Sequence, residues 1–179
     1  PTRRSSDLQN VDQEVTGIHR MKIWLLSDTH CEHEGLAVPE VDAVEWLEDF
    51  WIALHAGFFY WAYMKARSEL DIVWQSIPDD IDILITHGPP KGIMDVTADL
   101  YTGEPVHVGS KSLMRHVAER IRPRIHAFGH IHDEPGISNF GTVTHGVTQF
   151  INCACCSLTG ELANHGMIIE ISRPENVPD

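Results

Sequence analysis

Cations are scarce in this 179-residue chain: 13 Lys and Arg stand against 26 Asp and Glu, a formal net charge of −13 at pH 7. Such a surface repels a nucleic-acid backbone and an anionic membrane alike, so neither is expected as a bulk partner. A phosphate-bearing ligand would have to be held by cations placed in a site, and bound divalent ions are the natural candidates in so acidic a protein. Cysteine is sparse as well, limited to Cys31, Cys153, Cys155 and Cys156. The last three crowd into the stretch Asn152 to Ser157, too close together for a disulfide framework and without a fourth ligand at zinc-site spacing. They read as small buried apolar side chains in a reducing, cytoplasmic setting. No apolar run reaches the roughly 20 residues of a membrane span; the strongest, Phe50 to Met64, contains His55 and Gly57 and reads as a buried helix or strand pair. No secretory signal, internal repeat or low-complexity linker is visible.

What is present fits a single α/β domain. The hydrophobic content of 42% and the length suffice for a real core. Residues Pro1 to Leu8 spell one reading frame of a common sequencing-library adapter, which implies a natural start at Met21. The expected organisation is therefore a leader at 1–20 outside the fold, a domain over 21–172 and a tail at 173–179.

Histidine is abundant, at 12 residues, and its placement carries the argument. Met21 to Ser27 is a short apolar run that reads as a buried first strand, and it ends in Asp28-Thr29-His30. Asp82 to Thr86 is a second such strand, leading into His87-Gly88-Pro89-Pro90. Arg124 to Phe128 is a third, leading into Gly129-His130-Ile131-His132. On extended backbone, side chains at i and i+2 share a face, which would place His130 beside His132 and Asp28 beside His30. Open α/β sheets put their sites at the C-terminal ends of strands. One His-x-His pair also occurs as ordinary surface histidines, but three strand ends bearing Asp and His together point to Mn, Fe or Zn, singly or paired.

Between these blocks, Val41 to Val44 can begin a strand, whereas Glu45 to Leu54 has helical spacing, with Trp46, Leu47, Phe50, Trp51 and Leu54 on one stripe. Tyr63 to Trp74 reads as a helix stopped by Pro78. Ser110 or Ser112 caps an amphipathic helix through Leu113, Val117 and Ile121, ended by Pro123. The turn His107 to Ser110 ahead of it is either a plain cap or an anion site. Thr142 to His145, Gln149 to Cys153 and Met167 to Ile171 read as strands. Glu32, His33 and Glu34 read as a solvated loop.

Ser-Asp-Thr-His30, Thr-His-Gly-Pro-Pro90 and Gly-His-Ile-His132, in that order, resemble the first and the last two signature blocks of the calcineurin-like metallophosphoesterase superfamily. The resemblance spans residue 21 to about 172. It implies a pair of mixed β-sheets packed face to face with flanking helices, and a dinuclear site that hydrolyses phosphate monoesters or diesters. Carried over by position, Asp28, His30 and His132 would hold one metal ion and His87 and His130 the other. The two ions would clamp a small phosphate ester while a metal-activated water attacks phosphorus in line.

Two blocks of that family have no counterpart. One is a Gly-Asp whose carboxylate bridges the metals; the other is a Gly-Asn-His whose His serves the leaving group. His55-Ala-Gly-Phe58 resembles a remnant of the first with Phe in place of Asp, and Asp49, within a helical pattern, offers a candidate substitute carboxylate. The interval from Asp28 to His87 is correspondingly short, as in an internally shortened member, with Phe50 to Met64 marking the seam. The competing expectation is a metal-binding or interaction domain that kept the fold, lost the bridge and holds one metal rather than two, or a fragment that folds poorly.

Overall fold

β1 (Ile18–Leu26) is the middle strand of the first of the two larger sheets. The structure is a computed structural model in which residues 18–30, 33–37, 39–41, 43–46, 67–79 and 81–174 are described. β1 pairs in parallel with β2 (Ala43–Trp46) and antiparallel with β9 (Met167–Pro174), forming a three-stranded mixed sheet in the order β2-β1-β9. The second sheet is four-stranded. In it β3 (Ile83–Ile85), β6 (Ile125–Phe128) and β8 (Thr148–Asn152) run parallel, and β7 (Gly141–His145) closes the edge antiparallel to β8. A two-stranded ribbon joins β4 (Val96–Ala98) to β5 (Pro105–His107). Among the described residues the α-helices are α1 (Arg67–Gln75) and α2 (Lys111–His116), the latter continued by a π-helical turn over Val117–Ile121.

Period-two alternation sorts the strand residues into layers. Leu25 and Ile169 of the first sheet meet Ala127 and Ile151 of the second, with Cys153 beside them and Ile23, Ile85, Ile125, Met167 and Ile171 around them. The alternate residues Leu84, Phe128 and Phe150 face the other way, against Leu70 and Trp74 of α1 and Leu113, Val117 and Ile121 of the second helical segment. Trp24 and Leu26 cover the far side of the first sheet with Cys155, Leu36, Val41 and Leu162. Each fully buried large side chain contributes about 1.5–3 kcal/mol of transfer free energy. Helix, sheet and sheet thus stack as the expected pair of mixed sheets packed face to face. Among the described residues no helix is long and apolar enough to cross a membrane.

The helix read from Ser110 onward has a physical start and stop. Ser110 Oγ accepts the Leu113 amide at 3.2 Å, satisfying one of the first-turn donors. At the far end Arg122 turns left-handed, at φ 48°, donating its amide to Val117 O at 3.0 Å, and Pro123 blocks any continuation.

Elsewhere the elements depart from the sequence reading. Glu45 and Trp46, expected on a helix, complete β2, because the register from Ile23↔Ala43 to Leu26↔Trp46 gives their backbone a parallel partner that the local helical spacing could not reveal. Residues 47–66 lie outside the described residues, and with them Asp49, the His55 to Phe58 remnant and the aromatic run from Phe50 to Met64. α1 ends at Gln75, ahead of Pro78, as Ser76 and Ile77 donate back to Val73 O and Trp74 O at 3.0 and 3.3 Å. Pairing extends past both expected domain bounds: Ile18 sits opposite Pro174, His19 opposite Arg173 and Arg20 opposite Ser172. The β4–β5 ribbon had no signal in so few residues.

His126 is a polar side chain sealed within the core, its ring 5.3 Å from Phe128 and 5.5 Å from Phe150 between centroids. Thr86 Oγ1 donates to Gly88 O at 2.8 Å and therefore accepts from His126 Nε2 at 2.9 Å, while Nδ1 has no hydrogen-bond partner. Burial pushes this imidazole down to about 3. Below about pH 6.5 the unfolded chain then binds a proton that the folded chain refuses, so this stability is intact above that pH and declines as pH falls toward 3. The expected loss is about 1.4 kcal/mol per pH unit. Urea unfolding of wild type and His126→Leu should therefore show a stability difference that shifts toward the variant by about 2 kcal/mol between pH ~6.5 and pH ~5. An unchanged difference would contradict the sealed, neutral imidazole.

Candidate metal centre

Three strand ends meet at one edge of the sandwich. β3 and β6 are parallel neighbours, so their exits, Thr86-His87-Gly88 and Gly129 to His132, emerge side by side, tied by the Gly129 amide donating to His87 O at 2.8 Å. β1 reaches the same edge from the other sheet. Its exit is fixed by a parallel bridge between Ser27 and Ala154 and by the Cys155 amide donating to Ser27 O at 2.8 Å.

The backbone at this edge is not extended. Asp28, His30 and His130 have φ of 53°, 48° and 67°, left-handed values that cost a non-glycine residue of order 1 kcal/mol or more each. The Ile131 amide donates to Gly129 O at 2.8 Å, closing a tight turn about His130. The expectation that His130 and His132 share a face is therefore corrected. His130 turns toward His87, with ring centroids 4.7 Å apart, and His132 turns toward His30, at 5.2 Å.

Asp28 stands between the two pairs and is 6% exposed. Its Oδ2 accepts the His130 amide at 2.6 Å and the Ser27 hydroxyl, and its Oδ1 lies 3.7 Å from His132 Nε2. Burial works to raise its pKa, but the nearby His132 and His87 imidazoles, the His130 amide and the Ser27 hydroxyl outweigh it and hold the carboxyl well below the usual range. Asp28 is thus a fixed anion. The Asp28 carboxylate at that distance raises the pKa of His132 against the opposing effect of burial.

Two sets of donor atoms result. Asp28, His30 and His132 form one and Asp28, His87 and His130 the other, each with its ligand-capable atoms within 4.8 Å of one another. Ligands on one ion at about 2.1 Å each are at most about 4.2 Å apart, so either set needs only a small closure. One carboxylate with two imidazoles suits Mn, Fe or Zn. His132 is also pre-aimed: its Nδ1 donates to Ser157 O at 2.9 Å, which turns Nε2 toward Asp28. These residues fit a divalent metal.

The loop bearing both histidines is clamped by residues the sequence reading did not single out. Buried Asn152 donates to Ile131 O, and buried Asn139 to His132 O and Val96 O, each at 2.8 Å. Asp133 Oδ1 accepts the Asn139 and Phe140 amides at 2.5 and 2.8 Å. Only Asn152 had a usable signal, a polar residue closing an apolar strand. Glu32 and Asp49 lie outside the described residues, and His33 sits in a short 3-10 turn, His33–Gly35. Cys153 and Cys155 belong to neither donor set; burial pushes the first thiol well up and the second up to about 11. The turn from His107 to Ser110 does not act as an anion site: the Val108, Gly109 and Ser110 amides donate to Asp95 O, Asp95 Oδ2 and Pro89 O. Beside His130 opens a cavity of about 550 Å³ whose walls include Leu70, Trp74, Lys91, Lys111 and Ser112.

Gly129 allows the close approach of the two sheets here, since a Cβ at this position would collide with the Ser27 and Asp28 side chains. Gly129→Ala should cost about 1–3 kcal/mol in urea unfolding, through displacement of Ser27 and Asp28. Wild-type stability in the variant would contradict this packing.

No family model matches the chain. It is 32% identical over 120 residues to metallophosphoesterase domain-containing protein 1 of Homo sapiens, covering 66% of this chain and 34% of that protein. It is 33% identical over 166 residues to UPF0046 protein T07D4.2 of Caenorhabditis elegans, covering 84% of this chain and 39% of that protein. A further Caenorhabditis elegans protein, UPF0046 protein C25E10.12, is 37% identical over 102 residues, 56% of this chain and 34% of that one. The chain spans about a third of the length of the curated relatives it matches. These relatives support a metallophosphoesterase-like family.

Proposed function

We propose that the chain is a metal-dependent hydrolase of small phosphate monoesters or diesters, built on a dinuclear centre. The observation that carries this reading is the convergence of three strand ends on two donor sets of carboxylate and imidazole. The named relative and the order of the motifs support it. Asp28, His30 and His132 hold one divalent ion, and His87 and His130 the other. Such ions, when bound, act as Lewis acids toward phosphate and lower the pKa of water.

The chain's own groups supply the rest. The Asp28 carboxylate offsets part of the positive charge. Ser157 O and the clamps from Asn139 and Asn152 hold the His132 loop in register, so little reorganisation accompanies ligation. The cavity beside His130 receives the organic part of the ester: Leu70 and Trp74 offer it an apolar wall, and Lys91 and Lys111 attract its negative charge. A net charge of −13 favours a small ester over a nucleic acid and a cytoplasmic setting fits the reduced thiols.

Purified chain supplied with manganese should hydrolyse bis(p-nitrophenyl) phosphate or p-nitrophenyl phosphate. Asp28→Asn and His130→Ala should each lower kcat/KM by roughly 100-fold or more. The motifs absent by comparison with the family favour the rival reading, a metal-binding domain without catalysis. Turnover no greater than manganese alone, with metal still bound, would establish that rival.

A further inference from the structure

We propose that Asp28 is the shared ligand of the two metal sites, taking over the bridging position for which the sequence supplies no Gly-Asp block. This rests on the dinuclear reading above and assigns Asp28 a second bond that the family pattern does not give it.

The geometry carries the assignment. Asp28 is the one residue common to both donor sets, and among the described residues no other carboxylate belongs to either. The remaining members are imidazoles. A neutral imidazole offers one lone pair to a metal, whereas a carboxylate has two oxygens and about four lone-pair sites, so only Asp28 can bond two cations at once. Its position matches that role: it lies within ligand reach of His30 and His132 on one side and of His87 and His130 on the other. Two divalent ions placed close together repel strongly, and an anion between them is where negative charge lowers their energy most. Among the described residues, Asp133 follows His132 in sequence but belongs to neither donor set, and its Oδ1 accepts the Asn139 and Phe140 amides.

The carboxylate is held in place before any metal arrives. The His130 amide and the Ser27 hydroxyl fix Oδ2, and the left-handed backbone at Asp28 and at His130 brings that amide to it. Gly129 clears the space. Asp28 thereby ties together two sheets and the two halves of the centre.

The test is manganese counting by equilibrium dialysis on the full chain, with wild type, Asp28→Asn, His30→Ala and His87→Ala in parallel. Wild type should bind two ions per chain. His30→Ala and His87→Ala should each weaken one site and leave the other, whereas Asp28→Asn should weaken both by roughly 10–100-fold or more. Thermal unfolding of each metal-free variant identifies any that has not folded. A second measurement uses wild type alone: a shared carboxylate gives the manganese pair an exchange-coupled electron paramagnetic resonance spectrum. One site retained at wild-type affinity in Asp28→Asn, or two uncoupled manganese spectra in wild type, would overturn the shared ligand and leave the dinuclear reading standing. A wild-type chain that binds fewer than two ions would overturn both.

Discussion

One carboxylate reaches across from the first sheet to the second at their common edge. Asp28 leaves β1, is buried, and accepts the amide of His130, which leaves β6 in the other sheet. An ionised carboxylate removed from water has to be compensated by donors or cations close at hand, and its neighbours supply them: the His130 amide, the Ser27 hydroxyl, and the imidazoles of His132 and His87. Those requirements fix the spacing of the sheets, demand a glycine at 129 and hold the turn about His130 in left-handed backbone. The same requirements gather four histidines around a single negative charge. Packing and chemistry are satisfied by one arrangement.

The surrounding layers explain why that arrangement is rigid. The inner faces of the two sheets interlock through Leu25, Ala127, Ile151 and Ile169, directly behind the site. The helices cover the opposite face of the four-stranded sheet through Phe128 and Phe150. Strand exits carried on such a core move little, which favours ligands held close to their working geometry. The left-handed residues at the rim store strain that the core behind them sustains.

Much of this was legible in the sequence because the decisive signals were local. Apolar runs ending in Asp28, His87 and His130 marked the buried strands and their exits, and Ser110 and Pro123 bounded the helix between two of them. The pair of mixed sheets followed from the resemblance carried by the same blocks. Long-range pairing was less legible. Glu45 and Trp46 have the spacing of a helix, and only the open edge of β1 makes them a strand. The split of His130 from His132 depends on a turn whose left-handed residue is not a glycine, and the sequence does not announce it. Asn139 is invisible for a similar reason, since its importance comes from His132 O and Val96 O, a contact made only after folding. Its amide closes a loop that no spacing rule connects to β4.

A chain without the family's central carboxylate would be expected to lose one metal site or to find another anion. In the proposed centre Asp28, common to both donor sets, takes the second course. The most direct measurement is anomalous diffraction from crystals of the chain grown with manganese. The account predicts two anomalous peaks, one among Asp28, His30 and His132 and one among Asp28, His87 and His130, with the Asp28 carboxylate ligating both ions. A single peak, or two peaks of which only one is bonded to Asp28, would contradict it.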